Sequence, residues 1–246
     1  MGEEKAKLLP FYLVIDVSWS MDGPSIDAAN DIVPSLLEAL EQNPILSDKV
    51  RFGLVDFSDD ARVQLPLCDL LEPNLFVPTL STRGGTSYGV AFRLLRKQVE
   101  LDVMQLKADN YSVHRPVVFF LSDGAPTDEE HDWRSAFAEL TQYDRQSKVG
   151  FPMYPNVIPF GVDNADPVIL QSLIHPATGN KQMRMFLMDK GNTPAEAIKA
   201  MAEILISSVL SSGMSMANGG PGVVLPDPGQ LPAGVSSFTA DDEDFL

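Results

Sequence analysis

At 246 residues, the chain suits one medium α/β domain plus an appendage. Its 34 Asp and Glu outnumber 18 Lys and Arg, a net charge of −16 that excludes a nucleic-acid surface and suits a protein recruiting cations or basic partners. One cysteine, Cys68, excludes an internal disulfide and a thiolate zinc cluster, and His114, His131 and His175 are too scattered to pair on a metal at helical spacing.

Phe11–Ile15 is a continuous apolar run ending on Asp16, which predicts a buried parallel strand. Ser25–Leu40 has helical periodicity, with Pro34 inside it. Val50–Phe57 is a second strand. After the turn residues Ser58-Asp59-Asp60, Ala61–Leu67 alternates as an antiparallel partner at the sheet edge. A helix follows over Tyr88–Leu106, then the strand Pro116–Leu121, which ends in Ser122-Asp123-Gly124. Glu129–Gln146 reads as a helix with acids, Asp128 before it included, at its N-terminus. Val157–Phe160 is a strand, Asp166–Ile174 a short helix, Met185–Met188 a strand, and Thr193–Leu210 a helix capped by Thr193 with Pro194 at its first position. Alternating strands and helices predict a Rossmann-like, doubly wound α/β fold: a mostly parallel sheet with one antiparallel edge strand and helices on both faces.

Residues 1–212 would form that domain. Gly213–Leu246, rich in Gly and Pro at first and acidic at its end, reads as a mostly disordered tail. Its acids could reach across to a cation site on the domain. No apolar run approaches the roughly 20 residues that cross a bilayer, so no membrane insertion is expected. Acids precede Phe11–Ile15, unlike a signal peptide, and Ala6 stands where myristoylation needs Ser or Thr. A cytoplasmic location is the expectation.

Ligands of such sheets bind beyond the carboxyl ends of the strands. There the chain carries Asp16-Val17-Ser18-Trp19-Ser20, Gly84-Gly85-Thr86-Ser87 and Ser122-Asp123-Gly124. Asp16, Ser18, Ser20, Thr86 and Asp123 make an all-oxygen set with only two carboxylates. Such a set suits a hard divalent cation, Mg²⁺ first, with Mn²⁺ or Ca²⁺ as substitutes. An under-neutralised ion with an open position can accept a carboxylate from outside, so a protein partner offering Asp or Glu is the expected ligand. Capping and turn chemistry is the plainer reading of the same residues.

These three loops resemble the metal-ion-dependent adhesion site (MIDAS) of the von Willebrand factor A family. The resemblance implies hydroxyl contacts from Ser18, Ser20 and Thr86, with Asp16 and Asp123 acting largely through water. Leu9–Val14, Pro66–Leu71, Gly84–Ser87 and Ser122–Asp128 further resemble the family's bacterial members in tellurite-resistance and stress operons. That likeness implies a non-catalytic scaffold with a Ser/Thr kinase or a PP2C-type phosphatase as partner. Trp19 departs from the family's usual Gly, and it either anchors a partner or folds back on a helix.

Two other functions remain open. A Mg²⁺-dependent phosphohydrolase would use Asp16 as nucleophile, but Ser18 stands where its second acid belongs. A structural subunit would use the metal only to stiffen loops. Asp59 and Asp60 read as turn residues, His131 as solvated, and Cys68 as a small buried apolar residue.

Overall fold

The computed structural model describes residues 5–220 and 222–242. In chain order its elements are β1 (Lys7–Asp16), α1 (Pro24–Asn30), α2 (Ile32–Glu41), α3 (Pro44–Ser47), β2 (Val50–Phe57), β3 (Ala61–Cys68), α4 (Tyr88–Ala108), β4 (Ser112–Val113), β5 (Val117–Ser122), α5 (Glu130–Thr141), β6 (Tyr143–Asp144), β7 (Val149–Gly150), β8 (Asn156–Gly161), α6 (Pro167–Ser172), β9 (Met185–Met188), α7 (Pro194–Ala217) and β10 (Val235–Phe238).

The main sheet runs β10-β9-β8-β5-β1-β2-β3, with the short β4 also pairing β1. β1 is parallel to β2 and β5, β5 to β8, and β8 to β9. β3 is antiparallel on β2, as its alternation predicts. Phe11–Ile15 and Val117–Leu121 are wholly buried because both faces of the sheet are covered. α4 packs on α5 on one side, and α7 packs on α1, α2 and α3 on the other. Each fully buried Leu, Val, Ile or Phe contributes about 1.5–3 kcal/mol of transfer free energy.

Four features differ from the sequence expectations. The helix expected over Ser25–Leu40 is two helices, with Asp31 between α1 and α2. Pro34 is thereby placed in the first turn of α2, where a missing N–H breaks no intrahelical bond. The helix expected to reach Gln146 stops at Thr141, because Asp144 accepts Gln146 N (2.8 Å) and Ser147 Oγ (2.6 Å). That local turn competes with the helix and folds β6 back on β7.

α7 runs past the expected end to Ala217. It is long and apolar enough to span a bilayer by composition, contrary to the expectation that nothing here would be. Yet 56% of its most apolar window is buried within the fold, as befits a core helix. Its start is a capping box: Glu196 N donates to Thr193 Oγ1, and Thr193 N donates to Glu196 Oε2.

The segment Gly213–Leu246 is not a structureless tail where it is described. Residues 213–217 complete α7, and β10 adds a second antiparallel edge strand to the sheet beside β9. Val235 is buried, Ser236 Oγ donates to Asp189 Oδ1 (2.6 Å), and Val224 N donates to Ser212 Oγ (2.8 Å). Backbone pairing and one buried apolar side chain offset the entropy of ordering a Gly- and Pro-rich segment. β10 starts opposite Met188, at the carboxyl end of β9, and finishes opposite Met185. Thr239–Asp242 therefore emerge at the amino end of the sheet, away from the loops after β1 and β5. The tail reach to a cation site is not what these residues show. Glu243–Leu246 lie outside the described residues.

Candidate metal centre

Asp16 is the last residue of β1, and Ser122 and Asp123 stand at the end of neighbouring β5. Asp16 is completely buried, and both of its oxygens are occupied: Ser18 N donates to Oδ1 (2.9 Å) and Ser122 Oγ to Oδ2 (2.7 Å). The first bond curls the loop after β1, which continues as a 3-10 turn over Trp19–Met21. That curl brings the Ser18 and Ser20 hydroxyls within 2.9 Å of each other, and Ser20 Oγ donates to Asp123 Oδ1 at 3.0 Å. Three of the expected oxygens thus converge on one point at the rim.

The glycine loop is tied to this rim through its backbone. Trp19 N donates to Gly84 O (3.2 Å) and Arg83 N to Val17 O (2.7 Å). Gly84 has φ of 57°, and a Cβ there would fall 2.4 Å from Asp59 Oδ2, so only glycine fits without strain. Thr86 is buried beside this turn, with its backbone clamped to Thr127: Thr127 N (2.7 Å) and Thr127 Oγ1 (3.0 Å) both donate to Thr86 O. Its hydroxyl is not part of the hydrogen-bonded chain that joins Ser18, Ser20 and Asp123.

Below the rim, Tyr88 meets Phe57, Phe92, Phe120 and Trp133, with centroids 4.9–6.1 Å apart, and its hydroxyl donates to Gly124 O (3.1 Å). An apolar floor therefore fixes the height of the β5 loop.

Burial pushes the Asp16 carboxyl up to about 6 against the hydrogen bonds from Ser18 and Ser122. It raises Asp123 too, with the Asp163 carboxylate adding to the effect. Two desolvated carboxylates facing neutral hydroxyls favour a cation electrostatically. Among the described residues no group of three or more His, Cys, Asp or Glu side chains is placed to hold a metal. A cation would therefore have to rest on hydroxyls. Oxygens bound to one Mg²⁺ at about 2.1 Å and at right angles lie about 3 Å apart. The Ser18–Ser20 separation matches that spacing, so the hydroxyl pair fits the ion, and Asp123, hydrogen-bonded to Ser20, would be placed to hold one of its waters.

Comparison with known proteins bears on the fold. Residues 11–125 match the von Willebrand factor type A domain family. The chain has the von Willebrand factor type A (VWA) fold. No curated protein matches it in sequence. Among solved structures, a von Willebrand factor type A protein from Catenulispora acidiphila superposes with a TM-score of 0.54 at 18% identity, over 82% of this chain and 43% of that one. Proximal thread matrix protein 1 from the mussel byssus, with a zinc-occupied MIDAS motif, gives 0.50 at 14%, over 85% and 49%. A mutant of the PilB minor pilin from Streptococcus sanguinis gives 0.55 at 10%, over 89% and 64%. At these identities the likeness is one of fold, and the chain spans less than two thirds of each.

Several polar residues around this VWA rim have roles the sequence concealed. Asp128 belongs to α4 rather than α5: it accepts Gly89 N (2.7 Å), Tyr88 N (3.2 Å) and Ser87 Oγ (3.1 Å), capping α4 from 40 residues away in sequence. Asp60 does more than turn the hairpin, since it accepts from Arg62 and from Arg83 Nε (2.9 Å). Arg83 also forks onto the buried Asp56 at 2.7 and 2.9 Å. No sequence signal links Arg83 to Asp56, because neither lies in a motif. Trp19 is 66% exposed, which rules out folding back on a helix. His131 is exposed as expected. Cys68 is only half-buried; burial followed by the charges of Glu72 and Asp69 pushes its thiol up to about 11, leaving it unreactive.

Proposed function

We propose that this VWA domain is a non-catalytic, metal-dependent protein-interaction domain. Ser18, Ser20 and Thr86 would hold a Mg²⁺ ion through hydroxyls, with Asp16 and Asp123 anchoring its waters. When bound, the ion supplies a Lewis-acidic position for an Asp or Glu of the partner. The observation that carries this reading is the meeting of Ser18 Oγ, Ser20 Oγ and Asp123 Oδ1 within 2.9–3.0 Å at the rim.

The chain's own residues complete the docking face. Asp16 is buried with both oxygens engaged, so it holds the loop and is poorly placed to act as a phosphoryl nucleophile. Exposed Trp19 beside the rim offers the partner an apolar anchor. The mussel protein with a zinc-occupied MIDAS motif supports metal uptake by this fold. A cytoplasmic role in a bacterial stress or tellurite-resistance system, with a Ser/Thr kinase or PP2C-type phosphatase as partner, is supported by the sequence resemblance of Leu9–Val14, Pro66–Leu71 and Ser122–Asp128.

The test is titration of the folded protein with Mg²⁺ and Mn²⁺, followed by capture of a candidate kinase or phosphatase with and without chelator. Chelator-sensitive capture that Asp123→Ala abolishes is expected. Metal uptake absent from the folded protein, or phosphatase turnover abolished by Asp16→Asn, would overturn the reading.

A further inference from the structure

At the pole opposite the metal rim, two cavities are lined by the reverse charge. A cavity of about 410 Å³ opens at the amino end of the sheet, and a smaller one of about 210 Å³ lies beside it, with His114 and Arg115 lining both. Lys181 and Arg184 complete the larger cavity, and Lys107 and Arg145 the smaller. Among the described residues neither is lined by an Asp or Glu, although the chain has 34 of them. A random draw of polar residues from so acidic a chain would place more acids than bases there.

The cations are held apart rather than neutralised. Arg115 stacks over the Tyr154 ring (4.1 Å) and donates Nη2 to its hydroxyl (2.7 Å). Arg184 Nη1 donates to Pro226 O at 3.4 Å. Among the described residues none of Lys181, Arg184 and Arg115 has a carboxylate within ion-pair distance; Asp241 accepts from the lining residue Gln182 at 3.4 Å. Asn156, Asn180 and Gln182 add amide donors, and Leu9 and Val223 an apolar wall. The volume lies in the range of small-molecule sites, about 300–1,000 Å³. Arg guanidinium and Lys ammonium groups with amides around an apolar wall are the chemistry that recognises phosphate or carboxylate groups on a small organic body.

We propose that the larger cavity is a second binding site, for a small organic polyanion such as a phosphate monoester or a polycarboxylate. It stands independently of the metal rim. The strands β1, β5 and β8 run from one site to the other, so the two ligands would occupy opposite ends of the same sheet.

The test is calorimetric titration of the full chain with pyrophosphate, a nucleoside monophosphate and citrate, at fixed ionic strength and in buffer stripped of divalent metal on a chelating resin. The three probes separate phosphate from carboxylate preference. Saturable binding of at least one is expected, weakened about tenfold or more by Lys181→Gln/Arg184→Gln and unchanged by Asp123→Ala. Circular dichroism and Tm check that the variants fold, and the exposed single variant Lys181→Glu serves if the double variant does not. Three results would each overturn the proposal: no saturable binding of any probe, equal binding by the folded variant, or binding that appears only when Mg²⁺ is added.

Discussion

Ser20 donates its hydroxyl to Asp123 across 103 residues of sequence, joining the loop after β1 to the loop after β5 at 3.0 Å. β1 and β5 are neighbours in register, Ile15 facing Leu121, so their carboxyl ends must meet. The rim is a consequence of strand order.

Divalent metal should act on this pair. Mg²⁺ at about 100 times its Kd would stabilise the fold by about 2.7 kcal/mol, since it binds only the assembled loops. Thermal melts with Mg²⁺ and with EDTA should differ for the natural chain and coincide for Asp123→Ala and for Ser20→Ala.

Arg83→Ala would leave Asp56, 1% exposed, with Gln64 as its remaining side-chain donor (2.7 Å). Removing one partner of a buried pair costs about 3–5 kcal/mol, and Arg83's partial exposure places this case near about 3 kcal/mol. Urea unfolding measures it. A loss below that of an ordinary surface substitution would show that water replaces the guanidinium.

Asp128→Ala removes three accepted bonds at the start of α4 and should cost about 1–2 kcal/mol, as loss of an N-cap does. Asp132, which pairs with Arg93 at the surface at 3.0 Å, should lose little on the same change. Comparing the two variants by chemical denaturation separates capping from surface charge.

Ending the chain after Asn218 would remove β10 and leave the β9 edge unpaired. A lower Tm and faster amide exchange at Phe186 and Leu187 are expected. A disordered tail would leave both unchanged.

His175 should make stability fall in mild acid. Burial holds its imidazole below the ordinary value, against the hydrogen bond between Nδ1 and Pro155 O (2.8 Å), with Arg115 adding to the depression. The unfolded chain then binds the proton first. The contribution is complete above the unfolded value near 6.5 and is lost as pH falls from there toward the folded value. Raised carboxylates such as Asp16 and Asp102 act in the opposite sense, so the informative quantity is the difference between the natural chain and His175→Asn. That difference should shrink from pH 7.5 to pH 5.

Patterns that repeat within one element were legible in the sequence. Val50–Phe57 and Met185–Met188 appear at the expected residues, and Asp16, Ser18, Ser20 and Asp123 announced a rim because strand ends and oxygen-bearing loops are local features. Only the tertiary structure could decide which distant groups satisfy one another. Asp128 caps α4 although it precedes α5, Arg83 neutralises Asp56, and Val235–Phe238 becomes a strand because β9 offers it an open edge. A short segment's periodicity reports which face it buries. Its hydrogen-bond partners and its charge neighbours are set by packing, and packing depends on the whole chain.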